Sequence, residues 1–135
     1  MTFQFAVWGI GEGGGRIAQA FQHLGYEVCA INTAQGDLDG LAEISAENKL
    51  LLKISQGGTG KNPILVKEAL AVPEQRTALR NFIEQQIKKH PSPDLLYVLL
   101  CVGGGGGSGS GLASIVLETV LEFNVPVGMI YTLPG

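Results

Sequence analysis

The stretch Leu95 to Gly111, LLYVLLCVGGGGGSGSG, decides the fold. Leu95 to Val102 carries no charge and no polar alternation, so it reads as a strand buried on both faces, as the strands of a parallel sheet are. The nine residues after it, Gly103 to Gly111, hold seven glycines and two serines, and a helix is predicted from about Ser110 to Glu122. Glycine loses more conformational freedom on folding than any other residue, so such a run inside a regular fold is costly unless something must approach the backbone closely. Bare amides at the start of a helix face an anion, and the helix dipole adds to the attraction. A flexible Gly/Ser linker has the same composition, but linkers join folded units and are out of place between a buried strand and its helix. The run reads as a phosphate cradle.

The same rhythm extends to both sides. Upstream, Glu74 to His90 places Leu79, Phe82, Ile83 and Ile87 on one helical face, with Glu74 and Lys88-Lys89 matched to the two ends of the helix dipole. Pro91 and Pro93 end that helix, and Pro63 opens a shorter one that runs toward Leu70. Phe3 to Ile10, Tyr26 to Asn32 and Leu50 to Ile54 are further apolar strands. A helix over Arg16 to Leu24 is stopped by Gly25, a short helical stretch covers Asp37 to Ile44, and Val125 to Leu133 is a fifth strand. Strands alternating with helices predict a doubly wound, Rossmann-like, mostly parallel α/β sheet with helices on both faces. Ligands of such sheets bind at the carboxyl ends of the strands, and the three glycine clusters (9–15, 57–60 and 103–111) all fall at such ends.

Composition narrows the function. With 135 residues one domain is expected, over residues 1–135. At 45% apolar and 16% charged residues the chain is neither disordered nor membrane-spanning, and a basic leader before Phe3 is not seen, which predicts a cytoplasmic location. A net charge of −3 gives no footprint for nucleic acid. Cys29 and Cys101, each alone in an apolar run, read as buried thiols. No metal-ligand spacing and no catalytic group is found: His23 reads as a surface histidine, and Glu84 with Lys88 as a helix-surface pair.

Two of the glycine clusters invite other readings. Gly9, Gly11 and Gly14 satisfy G-x-G-x-x-G between a strand and a helix, the dinucleotide fingerprint of an NAD-dependent oxidoreductase. The acidic residue that should hold a ribose at the end of the second strand is replaced by Asn32-Thr33-Ala34, with Asp37 further on. Gly60-Lys61-Asn62 approaches a Walker A loop, but position 55 is Ser and Asn62 stands where Ser or Thr should meet magnesium.

Taken together the loops resemble those of the tubulin/FtsZ family. Gly105-Gly106-Gly107-Ser108-Gly109-Ser110-Gly111 is similar to its G-G-G-T-G-T/S-G signature, with Ser108 for threonine. Gly9 to Arg16, Asn32-Thr33 with Asp37-Leu38, and Gly58-Thr59-Gly60-Lys61-Asn62-Pro63 resemble its other nucleotide loops in order, so the resemblance spans the chain. Lys61-Asn62-Pro63 and Tyr131-Thr132-Leu133-Pro134 look more like the TubZ branch, which segregates plasmids and phage genomes, than like the division protein.

The resemblance implies a GTP-binding, filament-forming protein of division or DNA segregation. GTP or GDP would be held by Gly11, Glu12, Gly13, Gly14, Gly15, Arg16, Asn32, Gly58, Thr59, Gly60, Lys61, Asn62, Gly104, Gly105, Gly106, Gly107, Ser108, Gly109 and Ser110, and Mg2+ mainly by the phosphates. Two positions depart from the family pattern: Glu12 for a glycine, read as a solvated carboxylate in preference to a metal-side one, and Arg16 for an asparagine near the base. Family members run about as long again, so the chain reads as truncated. The ribose and base contacts, and the acidic loop that a neighbouring subunit donates for hydrolysis, would lie beyond it. Head-to-tail self-association is expected of the full-length protein, and a dimer or a companion chain for this part, with no membrane and no direct nucleic-acid partner. A nucleotide-binding or scaffold module that does not hydrolyse is the other reading this leaves.

Overall fold

A computed structural model describes residues 2–53, 72–103 and 107–132. Five parallel strands form its sheet: β1 (Gln4–Ile10), β2 (Glu27–Asn32), β3 (Lys49–Leu51), β4 (Leu96–Gly103) and β5 (Val127–Thr132). Between them run the helices α1 (Gly11–His23), α2 (Gln35–Asp39), α3 (Pro73–Lys88) and α4 (Gly107–Leu121). The strand order is β3-β2-β1-β4-β5, so the chain winds outward from β1 one way and then crosses back to wind the other. The crossing juxtaposes β1 and β4 in register from Gln4 opposite Leu96 to Ile10 opposite Val102.

Successive residues of a strand point to opposite faces, and here both faces are covered. Ala6, Trp8 and Ile10 pack with Val98, Leu100 and Val102 beneath Leu79, Phe82 and Ile83 of α3 and Leu112, Ile115 and Val116 of α4. Val7, Val28, Ala30 and Cys101 face the other way, against Ala18 of α1, Leu38 of α2, and Leu41 and Ile44. The doubly wound, Rossmann-like sheet expected from the unbroken apolar strands is therefore present. Cys29 and Cys101 are buried free thiols, as their apolar surroundings suggested. Burial raises the pKa of both, because a thiolate has no water to solvate it there.

Several boundaries differ from the expected ones, each for a physical reason. Helix α1 starts at Gly11 and not at Arg16, entered from an extended Ile10 through a positive φ of 75° at Gly11 that a side chain would resist. It ends where expected, with Gly25 left-handed at φ 95°. Helix α2 stops at Asp39, short of Ile44. Gly36 within it and Gly40 just beyond it are poor helix formers. The backbone of Glu43 is instead bonded by α1, Gln22 Nε2 donating to its carbonyl at 2.7 Å and its N–H donating to Gln19 Oε1 at 3.3 Å. The third strand is three residues long, and the segment containing the helix expected from Pro63 lies outside the described residues.

Candidate functional site: a glycine-walled crevice where the sheet reverses direction

At the carboxyl ends of β1 and β4 the winding reverses, and in such sheets the ligand crevice lies at that point. Both following helices begin there, α1 at Gly11 and α4 at Gly107, so two helix N-termini with their unpaired amides sit at one sheet edge.

The two junctions are held together backbone to backbone. A methyl group on Gly13 would lie 2.9 Å from the Cα of Gly103, and one on Gly103 would lie 2.7 Å from the Cα of Gly13. One on Gly14 would overlap the carbonyl of Cys101, and one on Gly9 the carbonyl of Gly14. Gly15 abuts Leu41, 2.8 Å from where a Cβ would stand. Gly14 and Gly15 are buried, so the G-x-G-x-x-G spacing serves first to bring α1 down onto β1 and β4. Gly9 and Gly103 belong to this contact. The sequence places both in glycine clusters of the candidate site without assigning either to the nucleotide itself, and the contact gives them a structural role.

Of the remaining expected residues, Glu12 and Arg16 lie on the first turns of α1 as an exposed ion pair 3.0 Å apart. They line a small cavity with Gly36, Asp37, Gly40 and Leu41, on the α2 side of the crevice. Asn32 ends β2 with its side chain buried in local bonds. Its Oδ1 accepts the N–H groups of Thr33 at 2.7 Å and Ala34 at 3.1 Å, while its Nδ2 donates to Asp37 Oδ2 at 3.3 Å. That is an Asx turn, which shapes the loop into α2. Gly107, Ser108, Gly109 and Ser110 form the first turn of α4, three residues earlier than the start expected at Ser110. Gly58, Thr59, Gly60, Lys61, Asn62 and Gly104, Gly105, Gly106 fall outside the described residues.

Among the described residues no group of three or more His, Cys, Asp or Glu is placed to hold a metal ion, and no helix is long and apolar enough to cross a membrane. His23 is exposed as expected, though it pairs with Glu43, Nε2 to Oε2 at 2.5 Å, across a separation in sequence that no spacing rule reveals. Glu84 and Lys88 form the expected surface pair at 3.3 Å.

A doubly wound parallel sheet with two glycine-faced helix starts at its reversal point defines the Rossmann-like class of α/β proteins. No family model matches the sequence. The chain is 33% identical over 121 residues to the tubulin-like protein CetZ of Pyrococcus abyssi, a match covering 86% of this chain and 31% of that protein. Among solved structures it resembles the GDP-bound monomer of CetZ1 from Haloferax volcanii (TM-score 0.76, 25% identity, 98% of this chain and 42% of that one). It has the fold of TubZ from Bacillus thuringiensis serovar israelensis, solved as a GTPγS-form protofilament (TM-score 0.76, 24% identity, 98% of this chain and 37% of that one). The chain belongs to the tubulin/FtsZ family, on its CetZ- and TubZ-like side. It spans about a third of the length of the curated relatives it matches.

Proposed function

We propose that this chain is the phosphate-gripping part of a GTP-binding, filament-forming tubulin-like protein of the cytoplasm. The observation that carries the reading is the Gly13–Gly103 contact, which sets the starts of α1 and α4 side by side at the reversal point of the sheet. A di- or triphosphate there meets backbone amides and two helix dipoles with no side chains in between. The GDP and GTPγS named for the solved relatives support the choice of nucleotide. The phosphates are assigned to the backbone of Gly11, Gly13, Gly14 and Gly15 and of Gly104 to Ser110, with Glu12 and Arg16 beside them, and Gly58 to Asn62 are assigned to the nucleotide by the family resemblance. Asn32 contributes by shaping its loop.

Mg2+ fits this arrangement as an ion held mainly by phosphate oxygens, since magnesium is ordinarily bound through substrate phosphates and one or two carboxylates. When bound it neutralises phosphate charge. We assign hydrolysis to the assembled polymer, because phosphoryl transfer needs a part that positions water and the family supplies it from the neighbouring subunit. Head-to-tail self-association follows from the same reading, and the protofilament form of the TubZ relative supports it.

The test is a thermal shift and calorimetric titration with GTP, GDP, ATP and NAD. A ligand at a hundred times its Kd stabilises the fold by about 2.7 kcal/mol. GTP and GDP are expected to raise Tm and NAD to leave it unchanged; a rise with NAD alone overturns the reading. Asn32, where a dinucleotide site places a carboxylate, argues against that outcome.

A further inference from the structure

The Glu12–Arg16 pair poses a problem that the nucleotide reading does not solve. Glu12 lies in the first turn of α1, at the end of the helix that attracts anions, so its carboxylate is a rival for the place a phosphate would take. In the structure it does not take that place. Arg16, one turn on, holds it at 3.0 Å, and both side chains line the cavity against Gly36, Asp37, Gly40 and Leu41 of the α2 region.

On that side the carboxylate shares the cavity with Asp37, whose Oδ2 accepts a hydrogen bond from Nδ2 of the buried Asn32 at 3.3 Å. Two carboxylates in one small cavity repel, and the guanidinium of Arg16 is the only positive group among the described residues that line it. Take that charge away and Asp37 pushes Glu12 back toward the start of α1.

We infer that Glu12, Arg16 and Asp37 form a charge latch that sets how strongly the crevice binds phosphate, with Arg16 drawing Glu12 away from the anion's position. The latch rests on the nucleotide reading. Arg16 is a positioning residue in it, acting through Glu12 and without touching the nucleotide.

A double-mutant cycle tests this by calorimetric titration of GDP into the full chain at low salt, with unfolding curves to confirm that each variant folds. The pair is exposed, so loss of the fold is not expected. Arg16→Gln should weaken GDP binding about two- to fivefold, the size of a charge effect at a helix N-terminus. Arg16→Lys should keep most of the affinity. Glu12→Gln should bind at least as tightly as the parent, and adding Arg16→Gln to it should cost nothing further. Asp37→Asn should recover part of the loss in the Arg16→Gln background, and all of these differences should shrink in high salt.

Arg16→Gln weakening GDP equally with and without Glu12 would mean direct contact with the nucleotide and would overturn the latch, as would no effect of Arg16→Gln at all. If the unmutated chain binds no GDP, it is the nucleotide reading that fails, and the latch falls with it.

Discussion

The same two strands, β1 and β4, end in opposite ways. At their amino ends Phe5 lies opposite Tyr97 in the register, the rings tilted with centroids 5.1 Å apart, and Phe3 packs edge-on to Tyr97 at 6.0 Å. At their carboxyl ends the neighbouring groups are Gly13 and Gly103, in contact through bare backbone. One pole is closed by large side chains. The other has been stripped of them, which gives up burial and conformational restriction but leaves amides open to a ligand. The difference marks the candidate site in the fold without reference to any relative.

Gly14→Ala should separate the poles most sharply. Its methyl group would overlap the Cys101 carbonyl, and since backbone cannot swing aside as a side chain can, the expected cost is about 3 kcal/mol or more in urea unfolding. Asn32→Ala comes next: the N–H groups of Thr33 and Ala34 lose their acceptor, at about 1–3 kcal/mol, and the entry to α2 loosens. At the aromatic pole Tyr97→Ala removes two ring contacts, for about 1–2 kcal/mol, and should leave GDP affinity unchanged. The counterpart of the first substitution is Gly25→Ala at that same pole, where nothing lies within 4 Å and only the positive φ of 95° resists, at about 1 kcal/mol. Equal costs for Gly14→Ala and Gly25→Ala would break the contrast between the poles.

The smallest effect is silent at neutral pH. Burial holds Cys29 and Cys101 protonated in the fold, while in the unfolded chain they ionise near their ordinary 9.0. Their contribution is therefore complete below that pH and declines as pH rises above it, because only the unfolded state then releases protons. Unfolding curves at pH 8 and pH 10, compared with those of a Cys29→Ala variant, measure it.

Much of this was legible in the sequence. Each long strand was, because a parallel strand covered on both faces is written as an unbroken apolar run, and so was α3, whose apolar stripe is regular. The starts of α1 and α4 were not. Glycines read as loop by propensity, yet Gly11 to Gly15 and Gly107 to Gly111 lie within helices, and at Gly13 and Gly14 the close approach of neighbouring groups excludes any side chain. The glycine runs pointed to the crevice, but that Gly13 meets Gly103 is a contact between residues ninety positions apart, which no local pattern encodes. Asn32 is expected at the nucleotide only through the resemblance of its loop to one of the family's. Its bonds show a turn-forming role that depends on where Asp37 comes to rest.

The pairing of β1 with β4 also sets an order of events. Gln4 has no partner on that side until Leu96 arrives, and the crevice has no second wall until Gly103 is in place. Bringing such distant segments together is slow, since the loop between them must close before any contact offsets the loss of freedom. A nascent chain emerging from the ribosome can form β1, α1 and β2 early and still have no place for a phosphate. On the proposed function ligand binding would report completion of the sheet, and nucleotide in the refolding buffer would act late, by retaining chains whose two halves have already met.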